Sequence, residues 1–218
     1  MPDISAVVFD LDGTLIDSAP DIRLCLNAVL ADLGAPALTL PQVHSFIGNG
    51  APHLVKLALA ASDLDPALHA SALAAFLALY DDAHVETVLY PHVIETLETL
   101  EAMGHRLGLC TNKPEGPTRF VLERFGLARF FDAVVAGDTL AQRKPDPAPL
   151  LHTLDMLGAT RAVYVGDSDV DAETATRSAI PFVLFTEGYR KSPVEALDFA
   201  GKFNDFRLLP QIVSDLIG

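Results

Sequence analysis

Residues 4–14 read ISAVVFDLDGT. Residues 4–9 are apolar and rich in β-branched side chains, the pattern of a strand buried on both faces of a parallel sheet. The run ends on a carboxylate, Asp10. A second, Asp12, follows two residues on, and Gly13 and Thr14 close the stretch. Beyond it, Ile22, Leu26, Val29, Leu30 and Leu33 recur at helical spacing until Gly34 and Pro36 stop them. The segment FIGNGAP (46–52) leads into an alanine-rich helix over 54–60, and Leu73, Phe76, Leu77 and Tyr80 share one face of a further helix.

After Tyr90-Pro91 the texture changes. Val93, Ile94, Leu97, Leu100 and Met103 make an amphipathic helix closed by Gly104. Strands are then expected at 106–110, 133–136, 162–165 and 182–185, with helices at 116–125, 146–157 and 169–178 between them. Asp146 reads as the N-cap of the second of these helices, with Pro147 in its first turn. A closing helix at 207–217 is expected to break or kink near Pro210. The alternation implies an α/β fold: right-handed βαβ units and a mainly parallel sheet with helices on both faces. Residues 16–89 interrupt it and read as all-helical, a small cap inserted after strand one. The expected division is a core of residues 1–15 and 90–218 and a cap of residues 16–89.

The 218 residues carry a formal net charge of −14 and half of them are hydrophobic. A packed core is therefore expected, with no attraction to nucleic acid or an anionic membrane surface. An anionic substrate would need local cations to overcome the global charge. The two cysteines, Cys25 and Cys110, lie apart in apolar runs and read as buried thiols in a reducing compartment. No apolar run reaches membrane-spanning length and the first residues lack a leader pattern, so the cytoplasm is the expected location.

In sheets of this kind ligands gather at the carboxyl ends of the strands. Those ends carry Asp10 and Asp12, then Thr111-Asn112-Lys113, then Lys144 before its helix, then Gly166-Asp167-Ser168 with Asp171 a turn later. The set suits phosphoryl transfer. Asp10 would attack phosphorus, and Asp12 would protonate the leaving oxygen and then activate water. Magnesium held by Asp10 and Asp167 would offset the repulsion between carboxylate and phosphate. Thr111 and Lys144 would hold the equatorial oxygens. Blander readings exist. A lone DxD is a common acidic turn. The run Asp167-Ser168-Asp169-Val170-Asp171 opens like a calcium loop, but Ala172 and Ser178 occupy the positions that need glycine and glutamate. Gly48-Asn49-Gly50 starts a GxGxxG pattern that fails at His53, leaving either a plain helix-entry loop or a ligand-facing one. Lys113 carries less weight than Lys144 and could be an ordinary loop lysine.

FDLDGTLIDS (9–18), CTNK (110–113), KPDP (144–147) and GDSDVD (166–171) resemble, in order, the four motifs of the haloacid dehalogenase superfamily. The resemblance implies a Rossmann-like core with a small α-helical cap after the first motif. It implies Asp10 as nucleophile, Asp12 as general acid/base, and Thr111 and Lys144 as phosphate ligands. Magnesium would be bound by Asp10, the Asp12 carbonyl and Asp167, with Asp171 in or near its surroundings. Asp12 argues for phosphate esters, because dehalogenase members lack it. IGNGAPHLV (47–55), KPDPAPLLHTL (144–154), VYVGDSDVDAETA (163–175) and GYR (188–190) look like the bacterial phosphoglycolate phosphatases. His92 departs from that group, which typically has glycine there. The implied partner is a small phosphorylated metabolite, 2-phosphoglycolate first, with the carboxylate held by Gly48, Asn49 and Gly50. Thr111, Asn112 and Lys144 would hold the phosphate. A phosphomutase acting on β-glucose 1-phosphate is the alternative from the same superfamily. A phospho-aspartate signalling module is the alternative from another class, but such modules are shorter and lack the insert.

Overall fold

The computed structural model describes residues 4–81 and 85–218. Residues 1–3, at the start of the expected core, and 82–84, near the end of the expected cap, lie outside the described residues. The strands are β1 (Ser5–Phe9), β2 (Ile16–Asp17), β3 (Val88–Leu89), β4 (Arg106–Cys110), β5 (Ala133–Val135), β6 (Arg161–Gly166), β7 (Phe182–Phe185) and β8 (Gly201–Phe203). The helices are α1 (Ala19–Asp32), α2 (Leu40–Phe46), α3 (Ala51–Ala61), α4 (His69–Tyr80), α5 (Val93–Ala102), α6 (Glu115–Arg124), α7 (Ala148–Leu157), α8 (Asp169–Ser178) and α9 (Leu209–Ile217).

Six strands form one parallel sheet in the order β5-β4-β1-β6-β7-β8. Numbered among themselves, these strands run 3-2-1-4-5-6, the doubly wound order whose topological switch point lies beside the first strand. β1 alternates its side chains between two covered faces. Val7 and Phe9 join a cluster with Leu97, Val121 and Val213, whereas Ala6 and Val8 join one with Leu150, Leu157 and Ala175. Burial on both faces explains why the strand reads as a continuous apolar run. The register pairs Phe9 with Leu109 of β4 and Val165 of β6. The three chains therefore emerge side by side at the carboxyl edge.

α1–α4 form a helical insert with a core of its own, built on Leu26, Leu30, Val55, Leu59 and Phe76. The insert is not all-helical at its ends. β2 and β3 pair antiparallel, Ile16 with Leu89 and Asp17 with Val88, and tie its two connections together. Two-residue strands leave no periodicity to read. β8, Gly201-Lys202-Phe203, carries a single apolar side chain and so offers no alternation to read either. Pro210 sits in the first turn of α9, where a missing N–H is tolerated, so it starts that helix and does not kink it. α7 begins at Ala148, later than expected, and Asp146 Oδ1 accepts a hydrogen bond from the Ala148 N–H at 2.9 Å. Both cysteines are buried and free.

His92, the N-cap of α5, has φ +66°. That is the left-handed region, where a side chain is disfavoured and glycine is not. His92→Gly is expected to raise unfolding free energy by about 1 kcal/mol in urea titration. A loss of stability would show that its ring makes a contact outweighing the backbone strain.

Candidate active site

Asp10 follows β1 and its N–H donates to Val165 O at 2.9 Å, which locks the start of the loop to β6. The next turn is tight because Gly13 has φ +88°. A Cβ there would lie 2.5 Å from Asp167 Oδ2. This close approach lets the loops after β1 and β6 share one carboxylate cluster. Asp10, Asp167 and Asp171 are buried, and each offers an oxygen within 4.8 Å of the others.

Lys144 is buried beside them. Its Nζ lies 2.9 Å from Asp10 Oδ1, donates to Asp171 Oδ1 at 2.7 Å and donates to Tyr164 Oη at 2.8 Å. Asp171 Oδ2 accepts from the Ser168 N–H and hydroxyl. Asp167 accepts from the Thr14 hydroxyl at 2.8 Å and the Tyr189 N–H at 2.6 Å. Burial pushes Asp10 up to about 7, with Asp171 adding to the rise and Lys144 opposing it. Burial, then Asp171 and Asp10, raise Asp167 well above the usual carboxylate range. Burial would also raise Asp171, but Lys144 and the hydrogen bonds outweigh it and hold it low. Burial alone would lower Lys144; Asp10 and Asp171 more than reverse that and raise it.

One lysine against three carboxylates leaves two negative charges. Asp10 Oδ1 is buried and, despite the nearby ammonium, has no aligned hydrogen bond. An all-oxygen donor set and a deficit of positive charge fit a hard divalent cation such as magnesium. Asp167 is the residue most in need of it, since Asp10 and Asp171 share Lys144 while Asp167 is held by neutral donors.

Asp12 differs from these three. Its Oδ1 accepts from the Ser18 hydroxyl at 2.6 Å and from Lys113 Nζ at 3.0 Å. Asp10 and Asp12 line a cavity of about 50 Å³ together with Thr111, Asn112 and Lys113 of the core and Gly48, Gly50, Leu54, Phe76 and Tyr80 of the insert. Asn49, Lys144 and Asp167 are not among the lining residues. Asn112 donates to Gly48 O and Lys144 O, both at 2.9 Å, and accepts from the Lys144 N–H. Its amide thus joins the insert to the loop that carries Lys144. The Thr111 hydroxyl accepts from the Lys113 N–H at 3.2 Å.

Sequence reasoning passed over Thr14, Ser18, Tyr80, Tyr164 and Tyr189. Thr14 and Ser18 lie within the first motif and Tyr189 within GYR, so proximity to a motif was an available signal. Tyr164, inside an apolar strand, offers none.

The chain belongs to the haloacid dehalogenase-like hydrolases, whose family model matches residues 7–185. Its relatives narrow the comparison. It is 47% identical over 214 residues to a phosphoglycolate phosphatase of Cereibacter sphaeroides, covering 97% of this chain and 98% of the relative. It is 44% identical over 210 residues to a phosphoglycolate phosphatase of Rhodobacter capsulatus, covering 95% and 96%. A solved structure described as a predicted phosphoglycolate phosphatase from Haemophilus somnus superposes with TM-score 0.90 at 31% identity, covering 97% of this chain and 99% of that one. No helix among the described residues is long and apolar enough to cross a membrane.

Proposed function

We propose that the chain is a magnesium-dependent phosphatase that hydrolyses 2-phosphoglycolate through a phospho-aspartate on Asp10. The observation that carries this reading is that Asp10 and Asp12 line one cavity while standing in opposite environments. Asp10 faces the cation-deficient carboxylate cluster; Asp12 is held by neutral and cationic donors outside it. Two carboxylates in contrasting surroundings suit separate roles as nucleophile and proton carrier. The relatives named above support the substrate.

Magnesium, held by Asp10, Asp167 and the Asp12 carbonyl, would neutralise the phosphate charge when bound. In the first step an Asp10 oxygen bonds to phosphorus and the ester P–O bond breaks. The leaving oxygen takes the proton of Asp12. In the second step water attacks phosphorus and gives its proton to Asp12. The bond to Asp10 breaks, releasing phosphate and restoring the Asp10 carboxylate and the protonated Asp12. Thr111 and Lys144 hold the phosphoryl oxygens. Residues 16–89 act as a cap on the core of 1–15 and 90–218, with the β2–β3 pair at its hinge. The cap excludes bulk water.

The phosphomutase reading stands second because the relatives matched over nearly the whole chain are phosphoglycolate phosphatases. The start of α3 at Gly50 and Ala51 lines the cavity with backbone N–H groups suited to a carboxylate. Purified protein with magnesium is expected to release phosphate from 2-phosphoglycolate at least tenfold faster, in kcat/KM, than from glucose 1-phosphate. Chelation by EDTA should abolish release. Equal rates across a panel of esters would remove the substrate assignment, and conversion of sugar phosphate without phosphate release would favour the mutase.

A further inference from the structure

Asp12 reaches the helical insert through a short chain of buried groups. Lys113 Nζ bonds Asp12 Oδ1 at 3.0 Å, hydrogen-bonds the Tyr80 hydroxyl and lies 4.3 Å from the centre of the Tyr80 ring. The Tyr80 hydroxyl also meets the Ser18 side chain, whose own hydroxyl donates to the same Asp12 oxygen at 2.6 Å. Tyr80 ends α4 and is buried, its ring stacked on Phe76 at 5.1 Å. Tyr80 thus belongs to the insert, Lys113 to the core edge after β4, and Ser18 to the connection after β2. Two of these segments each place a donor on one oxygen of Asp12, and Tyr80 of α4 backs both donors.

We propose that Tyr80 is a positioning residue that aims Asp12 through Lys113, so that the proton carrier is in register only while the helical insert sits over the cavity. The inference rests on the reading of Asp12 as the proton carrier given above. Both donors fall on Oδ1, so the carboxyl is fixed in rotation and Oδ2 is the oxygen left to exchange a proton with the leaving group. The ammonium is oriented from the far side by the Tyr80 hydroxyl and ring face, a combined hydrogen bond and cation–π contact. Removing the hydroxyl leaves the ring and its packing on Phe76 but frees the ammonium to turn. Lys113, rated below Lys144 on sequence, thereby acquires a role of its own.

The test separates esters by their need for a proton. Glycolate leaves 2-phosphoglycolate as an alkoxide that must be protonated as the P–O bond breaks. Acetate leaves acetyl phosphate, of similar size, without one. With enzyme in excess over substrate and magnesium present, the first step is followed by rapid quench in the wild type, in Tyr80→Phe and in Lys113→Met. Both variants are expected to slow glycolate release about tenfold or more while slowing acetate release far less. The double variant should be no slower than Lys113→Met alone, because one pathway is cut twice. Equal slowing of both leaving groups, or a change confined to KM, overturns the inference, as does additivity in the double variant. If Tyr80→Phe does not fold, Lys113→Met decides by the same comparison. A wild type that forms no phosphoenzyme from either ester overturns the phospho-aspartate reading together with this inference; an active wild type with uniformly slowed variants overturns this inference alone.

Discussion

Asp10→Asn is expected to lose at least about 10⁴-fold in turnover and, in metal-free protein at pH 8, to melt at a higher temperature than the wild type. The two effects share one cause. The carboxylate that is to attack phosphorus is buried, and burial together with Asp171 lifts it from 3.8 to about 7 against the pull of Lys144. A raised carboxyl favours the folded state only while it keeps its proton. In the unfolded chain the group ionises from about pH 4, so the folded state loses stability as pH rises from there to about 7 and the loss is complete above it. By that shift, ionised Asp10 costs about 4 kcal/mol in the absence of a cation. The amide removes the charge with little change of shape. The gain in melting temperature should therefore be large at pH 8, smaller at pH 5, and reduced when magnesium stabilises the wild type. A variant that keeps more than a hundredth of wild-type turnover would rule out Asp10 as nucleophile. One that melts lower at pH 8 would mean that Asp10 holds the fold together in spite of its charge.

The contrast between Asp10 and Asp12 explains what could be read before the fold was known. In a parallel sheet each strand delivers the residue after its last apolar position to the same edge. Asp10, Thr111 and Asp167 could therefore be placed together from strand ends alone, and β1, β4 and β6 do bring them side by side. Lys144 was legible too, because it lies between the third expected strand and the helix that follows, although that helix starts two residues later than expected. What escaped were contacts that depend on packing between segments. Tyr80 occupies a helical spacing that reads as core, and it is core; its hydroxyl at Lys113 is visible only once α4 lies over the cavity. Tyr164 sits in the middle of β6 and looks like one more apolar strand residue, yet its hydroxyl meets Lys144 and Asp171. The β2–β3 pair escaped because two residues per strand carry no period. Gly48 and Gly50 do line the cavity, but the failed GxGxxG pattern gave no reason to choose that outcome over a plain helix entry.

Lys144→Met should be the most damaging single change to stability, at about 3–5 kcal/mol, and should reduce turnover at least about 10³-fold. Lys144 is the buried cation that faces Asp10 and Asp171 at once, at 2.9 and 2.7 Å. A methionine fills the space of its stem but leaves both carboxylates without their partner. Asp171 suffers most, because burial would raise it and the lysine outweighs that burial and keeps it low. With the lysine gone, its folded-state value rises, and the associated stability loss develops as pH climbs from about 4. The melting deficit of the variant should accordingly be wide at pH 8 and narrow toward pH 5. Asp171→Asn placed on Lys144→Met should recover much of the stability at pH 8, because it deletes the stranded charge. It should not recover turnover, because the phosphoryl oxygens still lack their ammonium. Recovery of activity along with stability would reduce Lys144 to a structural ion pair. A deficit equal at pH 5 and pH 8 would trace the damage to lost packing of the lysine stem and not to unpaired charge.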